Sequence, residues 1–262
     1  LVEEQKNEIV DSITYAKRLQ DAILPPLALI KQFLPESFVL YKPKDIVAGD
    51  FYWMERSGDT ILIAAADCTG HGVPGALVSV VCSNALNRTV KEFHITTPGK
   101  ILDKVCELVL ETFEKSESNV QDGMDISLAS LTPSEGGIQL SWSGAYNSLL
   151  YVENGEIKEV QADKQPIGKT DNPKPFKTHT ITLNPPSEGR EAAMLYLFTD
   201  GYADQFGGPK GKKFKYKQLQ EKLLVISSQS MEEQKKMLDE TLEEWKGNLE
   251  QVDDVLIIGI RI

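Results

Sequence analysis

Four short acidic segments stand at the ends of apolar, strand-like runs. They are Ala48-Gly49-Asp50, Ala66-Asp67-Cys68-Thr69-Gly70-His71-Gly72, Phe198-Thr199-Asp200-Gly201 and Gln251-Val252-Asp253-Asp254. Strand ends in a sheet can converge on one edge, and carboxylates gathered there cannot all stay ionised without countercharge. A pair of divalent cations is the simplest countercharge. Carboxylates and backbone carbonyls are the ligands that Mg²⁺ and Mn²⁺ prefer. A two-metal site points to hydrolysis or phosphoryl chemistry. The chain has 3 histidines, which disfavours a His-rich zinc centre. Cys68, Cys82 and Cys106 lack CxxC spacing and read as reduced thiols.

Two strand pairs must bring these acids together. Asp50 opens a strand running to Glu55, Arg56 to Asp59 form a turn, and Asp67 closes the return strand that starts at Thr60. In an antiparallel pair the first residue of one strand lies beside the last of the next, with opposed side chains about 5 Å apart. Asp50 and Asp67 are therefore expected to be level. Asp200 closes the apolar run 192–198, and Asp253 and Asp254 open the run Val255 to Ile258. Antiparallel pairing of those runs would put their carboxylates at one edge too. If both sheets face each other, all of these acids share one site. Gly49, Gly70, Gly72 and Gly201 allow positive φ and close backbone approach to a ligand. Any one of these aspartates alone reads first as a solvated turn or helix cap; the four segments in order are the specific signal.

The remaining elements follow from periodicity. Residues Glu3 to Leu24 read as one helix, with Ile9, Ile13, Ala16, Leu19 and Ile23 on an apolar face and Pro25-Pro26 ending it. It reads both as a helix docked on its own domain and as a signalling or dimerisation helix. Phe38 to Lys42 is a strand. Helices are expected from Val73-Pro74 to Phe93 and from Pro98 to Lys115. Strands near 126–131, 138–142, 148–152 and 156–160 should form a meander, with Asn154-Gly155 as a hairpin turn. The Pro/Lys/Gly-rich stretch 163–177 reads as a mobile loop. Strands at 178–183 and 194–199, a loop at 207–211, helices at 217–226 and 231–245 and a closing strand at 255–262 complete the chain. This order suggests sheets with helices on their outer faces.

The bulk numbers fit. The 262 residues, 41% hydrophobic and 26% charged, make an ordinary globular chain with a sizeable core. A net charge of −11 argues against a nucleic-acid surface, and no apolar run is long enough to span a membrane. No signal peptide is visible, and a cytoplasmic setting is expected. The chain begins with Leu in a charged helix, as a piece of a longer protein would, and that protein could be membrane-attached.

These residues resemble a known family. Val47 to Tyr52, Ala66 to Ala76, Leu197 to Gly201 and Asp253-Asp254 match the metal-dependent protein serine/threonine phosphatases of the type 2C (PPM) superfamily, in the bacterial SpoIIE-type branch. The likeness spans residues 37–262. The segments Tyr15 to Gln20 and Ile23 to Pro25 resemble the connector that precedes such domains in bacterial sensors. The resemblance implies an α+β fold, a four-layer α-β-β-α sandwich of two antiparallel sheets covered by helices. It implies a connector or dimerisation helix over 1–26 and a phosphatase domain over 37–262. It implies two Mn²⁺ or Mg²⁺ ions: Asp67 bridging both, Asp50 and the Cys68 backbone carbonyl holding one, and Asp200 and Asp253 the other. Asp254, Gly49 and Gly201 would support them. A metal-activated water would attack a phosphoserine or phosphothreonine in line, without a covalent enzyme intermediate. Ala48 stands where family members usually carry Gly, which matters only if that position needs positive φ.

His71 is the tempting general acid, although a His between glycines is also an ordinary loop residue. Gln165-Pro166-Ile167-Gly168 matches a family motif near the site and reads as a substrate-access loop or as a surface turn. Asp125 enters its strand as the other acids do. The implied partner is a phosphorylated regulatory protein, with an anti-sigma-factor antagonist as the family analogue, and a second copy docked through the N-terminal helix. The competing readings are an inactive phosphatase-like signalling or binding module, and a two-metal hydrolase of small phosphate esters. Partner switching, with the site assembled on activation, is a mode of the main reading.

Overall fold

The computed structural model describes residues 2–114, 122–135, 137–183 and 191–262. The chain opens on α1 (Val2–Asp21) and α2 (Leu27–Phe33), followed by β1 (Ser37–Lys42), β2 (Phe51–Ser57) and β3 (Thr60–Cys68). Helices α3 (Gly72–Lys91) and α4 (Pro98–Glu114) come next. Then come β4 (Met124–Ser134), β5 (Gly137–Ala145), β6 (Leu149–Glu153), β7 (Glu156–Val160), β8 (His179–Leu183) and β9 (Met194–Phe198). The short α5 (Gly201–Asp204) leads into the small hairpin β10 (Phe206–Gly207) and β11 (Lys212–Lys213). Helices α6 (Tyr216–Ile226) and α7 (Met231–Lys246) precede the closing strand β12 (Val255–Arg261). The expected end of α4 at Lys115 lies outside the described residues.

Two five-stranded antiparallel sheets form, in the orders β1-β12-β9-β6-β7 and β2-β3-β4-β5-β8. Three apolar layers glue them. Between the sheets pack Ile63 and Ala65 of β3, Leu195 and Leu197 of β9, and Leu256 and Ile258 of β12. The alternate residues face outward: Leu62, Ala64 and Ala66 of β3 meet Val105 and Leu86 under α3 and α4. On the other side Tyr196, Phe198, Val255 and Ile257 meet Leu223 and Leu238 under α6 and α7. Both faces of the central strands are thus buried, which is why β9 and β12 read as continuous apolar runs rather than alternating ones. The result is the expected α+β four-layer α-β-β-α sandwich.

The expected hairpin turn forms, and α7 begins on a side-chain cap. Asn154 and Gly155 both take positive φ (53° and 74°), as the two-residue turn between β6 and β7 requires. Ser230 caps α7 by accepting from the Glu233 N–H at 3.2 Å.

Others are corrected. The four strands expected as one meander split: β4 and β5 extend the second sheet, while β6 and β7 join the first. The crossing sits at Tyr146, which adopts φ 55° beside a tight turn closed by Asn147 N–H to Ala145 O at 2.6 Å. The linker after Pro26 holds a short helix, α2, whose Ile30 is 2% exposed against the inter-sheet core. Leu19, expected on the docking face of α1, is exposed; the buried position of that helix is Gln20.

The stretch 163–177 is pinned rather than loose. Ile167 exchanges both backbone hydrogen bonds with Met124, at 3.0 and 2.8 Å. The Gln165 side chain bonds the Lys174 backbone twice, at 2.5 and 3.0 Å. The Phe176 and Lys177 N–H groups donate to the carboxylates of Asp103 and Asp163. Its polar composition reflects side chains answering backbone groups locally, not an absence of structure.

Among the described residues no helix is long and apolar enough to cross a membrane.

Candidate functional site

Register puts the first three acids side by side. Phe51 pairs with Ala66 in β2–β3, and one further step sets Asp50 level with Asp67. On its other side Asp67 pairs directly with Asp125 of β4. Asp125 is therefore as close in the ladder as Asp50, a placement that follows from the β3–β4 register. From the facing sheet, Asp200 follows β9, and Asp253 and Asp254 precede β12, its hydrogen-bonded neighbour. β3 lies against β9 and β12 across the interface, so both acidic ends meet at one edge of the sandwich.

The side chains sense one another. Asp50 is 2% exposed, and burial, then Asp67, pushes its carboxyl well above the ordinary range. Asp67 is pushed up to about 8 by burial and then by Asp200, Asp253 and Asp125. Asp125 is raised to about 7 by burial and Asp200. Desolvation by the cleft walls, then Asp204 and Asp253, also raises Asp200, with the Lys213 charge opposing. Like charges held this close, with little water to screen them, favour protonation or a bound cation.

The set fits hard divalent cations. Its donors are carboxylate oxygens from two sheets, and Asp67 feels the charges of Asp200 and Asp253 across the interface. Among the described residues no three His, Cys, Asp or Glu side chains are gathered at the distances of a formed metal site. The arrangement is thus a cluster of mutually repelling acids whose natural complement is divalent positive charge. The backbone carbonyl of Cys68 borders the same place: a Cβ on Gly49 would lie 3.0 Å from it and 2.5 Å from the Gly70 carbonyl. Glycine is therefore required at 49. A Cβ on Gly201 would collide with the Asp254 carbonyl, so that position is equally restricted. Ala48 is fully buried without positive φ, so its methyl costs the backbone nothing.

Three residues outside the sequence-derived set lie at or behind the acids. Thr199 donates its hydroxyl to Asp50 Oδ2 at 2.6 Å and accepts from the Leu256 N–H at 3.1 Å, tying the two sheets together at the site. Gln20 of α1 binds both backbone groups of Ala48, donating to its carbonyl at 2.6 Å and accepting from its N–H at 3.0 Å. Lys169 shares a cavity of about 200 Å³ with Asp67 and Asp125. Thr199 is hidden in a common turn motif. Gln20 had a legible signal, since it falls on the Ile9, Ile13, Ala16, Ile23 stripe.

The remaining sequence candidates are placed as follows. Asp254 is 2% exposed and spends its carboxylate on the N–H groups of Lys44 and Gly49, at 2.7 Å each, so it clamps the loop that delivers Asp50. Asp253 accepts from the Asp254 N–H at 2.8 Å. His71 precedes α3 and lies half exposed, with Nδ1 2.9 Å from Asp45 Oδ2. Pro166 and Gly168 line the cavity beside Asp67; Gln165 and Ile167 are the buried anchors behind them. Cys68 and Cys82 are buried free thiols, and burial pushes the Cys68 thiol up, away from the nucleophilic thiolate.

A family model for stage II sporulation protein E (SpoIIE) matches residues 57–262. Among solved structures, the SiaA-PP2C domain of Pseudomonas aeruginosa is 32% identical, covers 98% of each chain and superposes with a TM-score of 0.86. The PP2C phosphatase domain of SpoIIE from Bacillus subtilis, with a fragment of its regulatory domain, is 16% identical over 86% of this chain and 62% of that one, at 0.66. RsbX in complex with magnesium is 16% identical over 86% and 94%, at 0.56. No curated protein matches the chain.

Proposed function

The chain belongs to the SpoIIE family of PP2C-type phosphatase domains, and from that premise we propose that it is a metal-dependent protein phosphatase acting on phosphoserine or phosphothreonine of a regulatory protein. The observation that carries this is the meeting of Asp50, Asp67 and Asp125 from one sheet with Asp200 and Asp253 from the other.

Asp67, central in the set, would hold both ions, Asp50 and the Cys68 carbonyl would hold one of them, and Asp200 and Asp253 would hold the other. Bound Mn²⁺ or Mg²⁺ supplies Lewis acidity, countercharge for the phosphoryl oxygens and a water acidic enough to ionise near neutral pH. Thr199 fixes the rotamer of Asp50, and Asp254 holds Gly49 and Asp50 in position. A magnesium complex of the similarly folded RsbX is in keeping with this cation class.

His71 stands at the rim with Asp45 and is the candidate proton donor to the leaving serine. The loop Gln165 to Gly168 forms one wall of substrate access. Residues 37–262 act as the phosphatase domain and 1–26 as a connector that pairs with a second copy. The setting is cytoplasmic, and an anti-sigma-factor antagonist is the class of phosphoprotein the family suggests.

The test is phosphate release from an aryl phosphate and a phosphoserine peptide, with Mn²⁺ and with EDTA, for the native chain and Asp200→Asn. Release that needs Mn²⁺ and drops at least about a hundredfold in the variant is expected. Release from the aryl phosphate alone would favour a small-ester hydrolase. Metal binding without any release, on peptide or phosphoprotein, would favour an inactive signalling module.

A further inference from the structure

The wall of the acidic cavity carries a cation. The cavity of about 200 Å³ is lined by Asp67, Thr69, Asp125, Pro166 and Lys169, among others, and among the described residues Lys169 is the only positively charged one lining it. Its position is fixed by the segment before it. Ile167 is fully buried and bridged to Met124, the residue preceding Asp125. A Cβ on Gly123 would strike the Ile167 carbonyl, so the loop lies directly on the start of β4. Gln165 closes the other side through its two bonds to Lys174. Two residues beyond Ile167, the chain must therefore deliver Lys169 beside Asp125.

Lysines near carboxylates elsewhere in this acidic chain are paired: Lys42 with Asp239, Lys91 with Glu55, Lys158 with Glu153 and Lys213 with Asp204. Among the described residues Lys169 makes no ion pair or hydrogen bond. Lys169 thus lines, exposed and unpaired among the described residues, a cavity whose floor carries the carboxylates of Asp67 and Asp125. A phosphate monoester carries up to two negative charges and would be repelled by that floor. A flexible point charge with three donors, on a stem long enough to reach over the cavity, is suited to accompany it in.

We infer that Lys169 is a phosphate-binding residue, contacting the non-bridging oxygens of the substrate phosphoryl group and lowering KM more than it raises kcat. This rests on the phosphatase reading for the identity of the ester, but the anion site itself can be read without turnover.

The experiment is calorimetric titration of inorganic phosphate into the Mn²⁺-loaded chain, for the native protein, Lys169→Ala, Lys169→Arg and Lys169→Glu, alongside aryl phosphate kinetics. Phosphate affinity and 1/KM should fall about tenfold in Lys169→Ala and further in Lys169→Glu, with most of the loss restored in Lys169→Arg. The kcat should stay within about threefold, and Mn²⁺ affinity and Tm should not move. Equal phosphate affinity in the native chain and Lys169→Ala, or no phosphate binding by the native chain, overturns the inference. So does a loss of Mn²⁺ affinity in step with the loss of phosphate, which would make Lys169 structural. The two readings fail separately. Lys169-dependent phosphate binding without turnover sinks the phosphatase and keeps the anion site. Turnover indifferent to Lys169 does the reverse.

Discussion

Asp67 and Asp125 are opposed in the ladder, where like charges are destabilising. Both titrate upward, to about 8 and about 7. An acid whose folded pKa exceeds its unfolded value binds protons more tightly in the fold, so the folded state loses stability as pH rises from the ordinary carboxylate range through the folded pKa. Metal-free protein should therefore lose thermal stability from these groups between about pH 4 and pH 8. Replacing one member removes the penalty where it is largest. In EDTA, Asp67→Asn is expected to melt above the native chain at pH 8, with the gap closing by pH 5. Saturating Mn²⁺ should reverse the order at pH 8, since only the native set binds the ion fully. Melting curves at the two pH values, with and without Mn²⁺, check this; a gap independent of pH would show that the acids do not share a field. The sequence made Asp50, Asp67, Asp200 and Asp253 legible because each closes or opens an apolar run. Asp125 was weaker because its significance is its register against Asp67, and register between strands separated by two helices is a tertiary property.

The elements that hold these residues were legible in proportion to how local their causes are. The β2–β3 hairpin, the Asn154-Gly155 turn and the amphipathic α7 follow from a few neighbouring residues. The split of β4 to β7 between two sheets does not, because nothing within the strands says which sheet they join. The contact between α1 and the site is of the second kind. Gln20 is 4% exposed, occupies a core phase of its helix and reaches Ala48, two residues before Asp50, and Ser79 of α3 at 3.0 Å. Gln20→Ala would leave the buried N–H and carbonyl of Ala48 without those partners, a cost of about 1–3 kcal/mol. It should also loosen the segment that delivers Asp50, weakening Mn²⁺ affinity severalfold. Denaturant titration and metal titration of that variant measure both. A stability loss with unchanged Mn²⁺ affinity would mean that α1 is docked on the domain without bearing on the site.

At the scale of the whole molecule, α1 changes character along its length. Ile13, Ala16, Gln20 and Ile23 turn towards the domain, whereas residues 2–12 are exposed throughout. Val2 is 80% and Ile9 61% exposed, and they precede Ala16 by two heptads and one. The face that docks on α3 thus continues towards the N-terminus, where Val2 and Ile9 remain exposed among the described residues. A heptad-spaced apolar face on a helix otherwise rich in charge is what a parallel partner helix would cover. This supports the proposal that a second copy pairs there. Ile9→Glu leaves Gln20 and the docked half intact, so it separates pairing from folding. The native chain is expected to sediment as a dimer at micromolar concentration, and Ile9→Glu as a monomer with a Tm lower by no more than the dimer linkage predicts. Removing all residues before Pro25 should also abolish the dimer, with the added loss of the Gln20 contacts and hence of Mn²⁺ affinity. If Ile9→Glu sediments as the native chain does, the free half of α1 is not the pairing surface. If both variants are monomers and only the truncation loses metal, dimerisation and site assembly are separable functions of one helix, divided near Ile13.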